Sequence, residues 1–335
     1  MIIGIDAMGG DHAPQTVIDA VKELEKSQQQ LTEDNKFDIV LIGDKAQLSG
    51  KIEDSKIIHA PTTIGMEEHP AEAFKKKDSS IARGTELLKQ GKIDAFVGAG
   101  NTGVYVMFGV LELGRIKGVR RPALGIFIPS KSGATFVLDV GANATAKTED
   151  LYQFGAMGAL CVEGITGKKS PSVSILSVGE EEAKGSPMTK EAYQLMQSSG
   201  LNFLGNIEGH KILDGISDVV VCDGFVGNVM LKFAEGIVEF ITSLIKDTIG
   251  SSLLTKFGGL LIKNTLKKRF AMMRYQEYGG ALLLGVKGVI MVCHGRSNPE
   301  AICYAVYAAA RYVKSGVNER IEQYFSTNNQ TSITA

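Results

Sequence analysis

The chain has 335 residues, enough for one large α/β domain or two smaller lobes. Its 36 basic and 37 acidic residues leave a net charge of −1, which argues against a nucleic-acid partner. With 44% hydrophobic and 22% charged residues an ordinary packed core is expected, and no run reaches the ~18–20 apolar residues of a spanning helix. The best apolar run, "ALLLGVKGVIMVC", is interrupted by Lys287. The four cysteines (Cys161, Cys222, Cys293, Cys303) have no C-x-x-C spacing and read as reduced thiols of a cytoplasmic protein. The opening "MIIGID" reaches Asp6 too early for a secretory leader.

Apolar runs alternate with helical patterns from the first residues. "IIGI" reads as a strand ending at Asp6, and "PQTVIDAVKELEK" as a helix with Val17, Ile18, Val21 and Leu24 on one face. "FDIVLIG" and "SKIIHA" are strands, "IARGTELLKQ" a helix, and "IDAFVGAG" a strand running into a glycine loop. A helix over "TGVYVMFGVLELGRI", strands over "ALGIFIP" and "ATFVLDVGAN", and a helix over "TEDLYQFGAMGALCVEG" follow. "PSVSILSVGEE", "LNFLGNI" and "SDVVVCDGF" complete the strands; "GNVMLKFAEGIVEFITSLIK" and "PEAICYAVYAAARYVK" are late helices. The alternation predicts a mainly parallel α/β sheet with helices on both faces, one domain over residues 1–325 and a polar frayed tail over 326–335. Residues 248–276 depart from it. This stretch carries six cations and no carboxylate, and reads as a basic amphipathic helical insert projecting from the domain.

Five strand ends carry Gly, Asp or Asn clusters: "DAMGGDH", "VGAGNTG", "DVGAN", "VGEEEAKG" and "CDGFVGN". Ligands of open α/β sheets bind beyond carboxyl strand ends, so these loops are expected to converge on one cleft. Gly98, Gly100 and Gly103 spell G-x-G-x-x-G, the dinucleotide fingerprint. That fingerprint wants an acid about 20 residues on, after the next strand. Here no Asp or Glu falls between Glu112 and Asp139, and Arg120 and Arg121 precede the strand. A loop with Asn101 and Thr102 suits a small oxyanion at a helix start.

With "DAMGGDHAP" (6–14), "GAGNTG" (98–103), "RRPAL" (120–124), "LDVGAN" (138–143), "GNIEGH" (205–210), "DGFVGNVMLK" (223–232) and "YGGALLLGV" (278–286), the chain resembles the PlsX family of bacterial phosphate acyltransferases over about residues 1–315. The resemblance implies an isopropylmalate-dehydrogenase-like fold related to phosphotransacetylases, and a homodimer. It implies the reaction of fatty acyl-[acyl carrier protein] with inorganic phosphate to give acyl phosphate, the first step of phospholipid synthesis, without cofactor or metal. A peripheral location at the membrane and delivery to a membrane-bound glycerol-3-phosphate acyltransferase are implied as well. The sequence departs from the family pattern at Ser177, Ser186-Pro187, Leu282 and "VCHGRSN".

Phosphate attacking a thioester needs an anchored anion, a stabilised oxyanion and a departing thiolate. The resemblance points to Lys184 and Asn228 as substrate-handling residues, and His12, oriented by Asp11, is a candidate acid for the thiol. Lys184 beside three acids also reads as a solvated loop charge, and Asn228 as a capping amide. Asp6, Gly9, Gly10, Asp11, Gly100, Asn101, Thr102, Gly103, Asn143, Asp223 and Gly227 make up the expected phosphate and thioester loops. Cys293 reads as a core thiol, and His59, His69 and His210 have no metal spacing. In the insert, Leu253, Leu254, Phe257, Leu260 and Leu261 recur at spacings of three and four beside Lys263, Lys267, Lys268 and Arg269. That pattern suits a membrane surface or the acidic carrier protein. The alternative function is an NAD(P)-dependent dehydrogenase of the isopropylmalate or isocitrate class. It would need paired aspartates at a late strand–helix junction; Asp214 and Asp218 have the spacing but fall in "LDGISD", which reads as a loop.

Overall fold

The computed structural model describes residues 1–32, 35–272 and 279–331. Eleven strands form one sheet: β1 Ile2–Asp6, β2 Asp38–Gly43, β3 Ile57–His59, β4 Ala95–Gly98, β5 Ala123–Ser130, β6 Gly133–Leu138, β7 Ser172–Ser177, β8 Asn202–Glu208, β9 Val219–Val221, β10 Ala281–Leu284 and β11 Val289–Val292. Their order is β3-β2-β1-β4-β11-β10-β5-β6-β9-β7-β8. The flanking strands are parallel within each half, and β10 and β5 reverse direction at the centre. The apolar run that sequence left undivided folds into β10 and β11 as an antiparallel pair, with Lys287 in the turn between them.

The helices are α1 Gln15–Gln28, α2 Lys45–Leu48, α3 Pro70–Ala73, α4 Ser80–Lys89, α5 Thr102–Phe108, α6 Thr148–Thr166, α7 Pro187–Gln197, α8 Gly224–Gly250, α9 Leu253–Met272, α10 Pro299–Ser315 and α11 Val317–Thr331. Each face of the sheet carries its own core, because strands buried on both sides offer alternate side chains to opposite layers. Ile3, Ile5, Phe127 and Phe136 meet α1, α6 and α10 on one face; Phe96, Leu124, Ile126 and Val137 meet α4 and α5 on the other. Four helices were not anticipated, the one-turn α2 and α3 and the longer α7 and α11. In α7, Ser186 caps Thr189 N–H ahead of Pro187 at the first helical turn. In α11, the helix continues through Thr331, past the start of the predicted polar tail at 326.

Helices α8 and α9 differ from the rest. Of the 27 residues of α8 only Gly224 and Gly227 are buried, and its main helical neighbour is α9. The pair forms a projecting hairpin whose apolar side chains are uncovered. Phe233 is 70% exposed, Leu253 85% and Leu261 70%.

Candidate active site

Two buried carboxylates organise the strand ends. Asp6 closes β1, where its Oδ1 accepts from Met8 N–H at 3.0 Å and its Oδ2 from the Tyr105 hydroxyl at 2.6 Å. Burial pushes this carboxyl above its ordinary range, while the hydrogen bonds from Tyr105 and neighbouring groups oppose the shift. Because Tyr105 belongs to α5, Asp6 ties the first loop to the glycine loop after β4. At Gly9 a Cβ would stand 2.8 Å from the Gly100 amide nitrogen, so only glycine lets the loops meet. Asp11 N–H then donates to the Gly295 carbonyl at 2.9 Å, joining a third loop, the one after β11.

Asp139, just beyond β6, does the same in the other half. Its Oδ1 accepts from the N–H groups of Leu124, Gly141 and Ala142 at 3.1, 3.0 and 2.8 Å. Its Oδ2 accepts from Asn143 N–H and Nδ2, both at 2.8 Å. Burial again raises the carboxyl, and the amide donors oppose it. The start of α8 lies directly on this loop. A Cβ at Gly227 would fall far inside van der Waals contact with the Asp139 carbonyl oxygen.

A cleft of about 570 Å³ opens among these braced loops, within the size range of small-molecule sites. Leu124, Ile126, Val140 and Val292 give it an apolar floor. Thr102, at the first position of α5, Asn228 and Lys232 of α8, and His294 and Arg296 after β11 supply polar groups around it. Lys232 Nζ donates to Glu235 Oε2 at 2.9 Å, and His294 Nε2 stands 3.7 Å from the same oxygen. His294 Nδ1 accepts from Arg296 N–H at 3.1 Å, and the Arg296 guanidinium reaches Glu239 at 3.3 Å. An amide, a hydroxyl and three basic side chains, with Glu235 and Glu239 as the carboxylate partners of those cations, thus stand beside an apolar floor. Such a donor set suits an anion beside an apolar chain.

Of the residues expected at the site, Thr102, Gly103 and Asn228 line this cleft. Asp6, Gly9, Gly10 and Gly100 stand behind it as bracing, and Gly227 is the contact that seats α8. Asn101 commits its amide to the protein: Oδ1 accepts from Val104 N–H, and Nδ2 donates to the carbonyls of Met66 and Glu68. Asn143 Nδ2 likewise donates to the Pro122 carbonyl and to Asp139, and Asp223 caps α8 through Val226 N–H. His12 and Asp11 are exposed and outside the cleft lining.

The five-loop expectation needs two corrections, because neither "DAMGGDH", which braces the glycine loop from behind, nor "VGEEEAKG" lines the cleft. Lys184 sits exposed in that loop, its N–H donating to the Glu181 carbonyl at 2.9 Å. The loop follows β7, and β6, β9 and β7 run parallel, so Lys184 lies at the same end as Gly141 but two strands along. Sequence reasoning passed over Lys232, and noted the stretch "VCHGRSN" with His294 and Arg296 as a departure without placing it at the site. The available signal was Lys232 four residues after Asn228, one helical turn along the same face.

Cys293 borders the cleft, but burial pushes its thiol up to about 12, and both ring nitrogens of the adjacent His294 face other groups. The two arginines that precede β5 are occupied. Arg120 and Arg121 approach the buried Asp150 at 3.0 and 3.6 Å. Asp214 pairs with Lys131 and Asp218 with Lys168, neither in the cleft. Among the described residues no group of three or more His, Cys, Asp or Glu side chains converges. On the hairpin, Leu254, Phe257 and Leu260 are exposed with Leu253 and Leu261, as is Lys263; the side chains of Lys267, Lys268 and Arg269 lie outside the described residues. No helix of the described residues is long and apolar enough to cross a membrane.

Solved structures with similar folds include the EutD phosphotransacetylase from Staphylococcus aureus, with a TM-score of 0.58 and 15% identity over 93% of this chain and 94% of that one. A phosphotransacetylase from Streptococcus pyogenes gives 0.58 and 16%, covering 94% of both chains. A 4-hydroxythreonine-4-phosphate dehydrogenase from Klebsiella pneumoniae gives 0.53 and 12%, over 93% and 99%. At such identities the likeness is one of fold, and the fold alone does not separate acyl transfer from dehydrogenation. Sequence relatives do. The phosphate acyltransferase of Halothermothrix orenii is 44% identical over 334 residues, 96% of this chain and 98% of its own length. That of Thermoanaerobacterium thermosaccharolyticum is 42% identical over 327 residues, 96% of each. The profile of the family described as "fatty acid synthesis protein" matches residues 1–320, and with these relatives it shows that the chain belongs to that family, among the phosphate acyltransferases.

Proposed function

We propose that this chain transfers a fatty acyl group from the thioester of acyl carrier protein to inorganic phosphate. A phosphate oxygen attacks the carbonyl carbon, the carbon–sulfur bond breaks, and the proton of hydrogen phosphate ends on the departing thiolate. The products are acyl phosphate and the free carrier thiol. The observation that carries this reading is the single cleft in which Thr102 and Asn228 meet Lys232, His294 and Arg296 over an apolar floor. The cations hold the phosphate, the floor takes the start of the acyl chain, and Asn228 donates to the carbonyl oxygen as negative charge develops there. Lys184 adds a further positive charge from the β7 loop, and His12 passes the proton to the departing thiol.

The exposed hairpin supports two further parts of the proposal. Val229, Phe233, Ile237, Phe240 and Leu244 recur at three- and four-residue spacing along α8, the pattern of a helix that packs against another. A second copy of the chain covers this stripe as a homodimer. The apolar tip at Leu253–Leu261, bordered by Lys256 and Lys263, rests on the anionic cytoplasmic face of a membrane. A membrane-bound glycerol-3-phosphate acyltransferase there takes up the product.

The test is phosphate-dependent release of carrier thiol by Asn228→Ala, Lys232→Ala and Lys184→Ala. Loss of one oxyanion or phosphate contact is expected to cost about 10²-fold or more. Asn228→Ala within about threefold of the parent removes the proposed site. If Lys184→Ala is near parental while Lys232→Ala falls by about 10²-fold, the working cation belongs to the cleft and not to the β7 loop.

A further inference from the structure

A second cavity, of about 410 Å³, lies on the other face of the sheet. Its floor is Phe127, Val162, Ile165 and Ala308, members or neighbours of the core layer that packs α6 and α10. Its rim carries Arg311, Lys168 and the exposed Ile216. It opens where β6 and β9 begin, the end of that half opposite Gly141 and Asn228. The two cavities use the two sides of shared elements. On β5, Ile126 faces the first and Phe127 the second; on α10, Ala301 borders the first, and Ala308 and Arg311 the second.

Arg311 is the distinctive group. Arg83, Arg120, Arg121, Arg296 and Arg320 all stand within ion-pair distance of a carboxylate, and Arg115 hydrogen-bonds the Arg120 carbonyl. Among the described residues, the Arg311 guanidinium has neither a hydrogen bond nor an ion pair. Lys168 at the same rim is neutralised by Asp218 at 2.7 Å, so the cavity's uncompensated charge is that of Arg311. An apolar floor beneath one uncompensated guanidinium complements a ligand with an apolar chain and an anionic head.

We propose that this cavity binds an anionic amphiphile, the chain lying on Phe127, Val162, Ile165 and Ala308 and the carboxylate or phosphate head held by Arg311. This site is separate from the cleft around Asn228, and its existence does not depend on the reaction assigned there. Two sources share the chemistry, a free long-chain acid and an acyl chain ending in phosphate. The head group tells them apart.

The chain has no tryptophan, so Ile216→Trp places a sole indole on the rim. Its emission is followed during titration with dodecanoate, dodecyl phosphate, dodecanol and inorganic phosphate, all below micelle formation. Saturable shifts are expected for dodecanoate and dodecyl phosphate, at least tenfold weaker when Arg311→Gln is added, and none in that range for dodecanol or phosphate alone. The tighter of the two anionic probes names the source. Calorimetry of the parent and of Arg311→Gln, without the indole, must show the same tenfold loss; thermal unfolding of Arg311→Gln at the parental midpoint shows that the exposed change spares the fold. Equal affinity of the parent and Arg311→Gln overturns the proposal and assigns amphiphile uptake to the hairpin or the first cleft. Phosphate alone binding as tightly as dodecyl phosphate overturns the apolar half of it, and a silent indole together with silent calorimetry overturns it entirely.

Discussion

The strand ends around the cleft and the α8–α9 hairpin satisfy their groups in opposite ways. At the strand ends, polar atoms turn inward: Asp6 and Asp139 collect main-chain and side-chain donors from their own loops, and glycines permit backbone to lie on backbone. On the hairpin, apolar side chains turn outward, with Phe233, Phe240, Leu254 and Leu261 all more than 60% exposed. In the first region both carboxylates find their partners within the chain. The second leaves apolar surface far beyond the scattered exposed residues of an ordinary monomer, which is the mark of a surface that meets something else. Both meet in α8, whose first turn is clamped to the Asp139 loop and whose remainder projects.

The sharpest way to break this contrast is at the clamp. Gly227→Ala drives a methyl into the Asp139 carbonyl, where only backbone can yield, and is expected to cost about 4 kcal/mol or more in denaturant unfolding. A loss under about 1 kcal/mol would mean that α8 is seated by something other than this contact. Next is the carboxylate itself. In Asp139→Asn the amide NH₂ replaces one acceptor, either Oδ2 before the two Asn143 donors or Oδ1 before three main-chain N–H groups. Leaving buried donors unpaired is expected to cost about 2–3 kcal/mol, with activity falling as the loop loosens. An unchanged unfolding midpoint would show that these loops do not rely on the carboxylate.

The same contrast explains how much was legible in sequence. Strand periodicity and punctuating Gly, Asp and Asn located the sheet and its loops, because those residues answer to local backbone demands. What they do within the loops was not legible. Asn101 and Asn143 look like ligand donors in one dimension, yet their partners are the Met66, Glu68 and Pro122 carbonyls, distant in sequence. His294 and Arg296 reach the cleft because β11 pairs with β4, a long-range adjacency with no local signature. The split into β10 and β11 was equally hidden, since a short continuous apolar run reads alike as buried strand or buried helix. In the hairpin only α9 carried a signal, in its lysines and three-and-four leucine spacing; α8 read as one more late helix, and its outward apolar stripe was missed.

On the hairpin the contrast is tested by making the tip polar. The paired substitution Leu260→Glu and Leu261→Glu changes residues that are 66% and 70% exposed, so folding and turnover on soluble carrier thioester are expected to stay within about twofold of the parent. Flotation with vesicles containing anionic lipid is expected to be lost. Unchanged flotation removes the tip from the membrane, and lost turnover with intact flotation makes it part of carrier docking.

The smallest effect is expected where a reactive residue type sits inside the braced region. Cys293 borders the cleft next to His294, an arrangement that invites an acyl-cysteine route in which the thioester is first moved to the protein. The surroundings oppose it. Burial pushes the thiol up to about 12, so the nucleophilic thiolate is scarce near neutral pH. The neighbouring imidazole is held by Arg296 N–H on one side and faces Glu235 on the other. With phosphate as its own nucleophile, no acyl-enzyme is needed, so Cys293→Ser is expected to keep turnover within about threefold of the parent and to leave its pH profile unshifted near neutrality. A fall of about 10³-fold, or a thioester mass adduct on Cys293 after mixing with acyl carrier protein in the absence of phosphate, would place the thiol in the reaction and turn the braced end of β11 from support into chemistry.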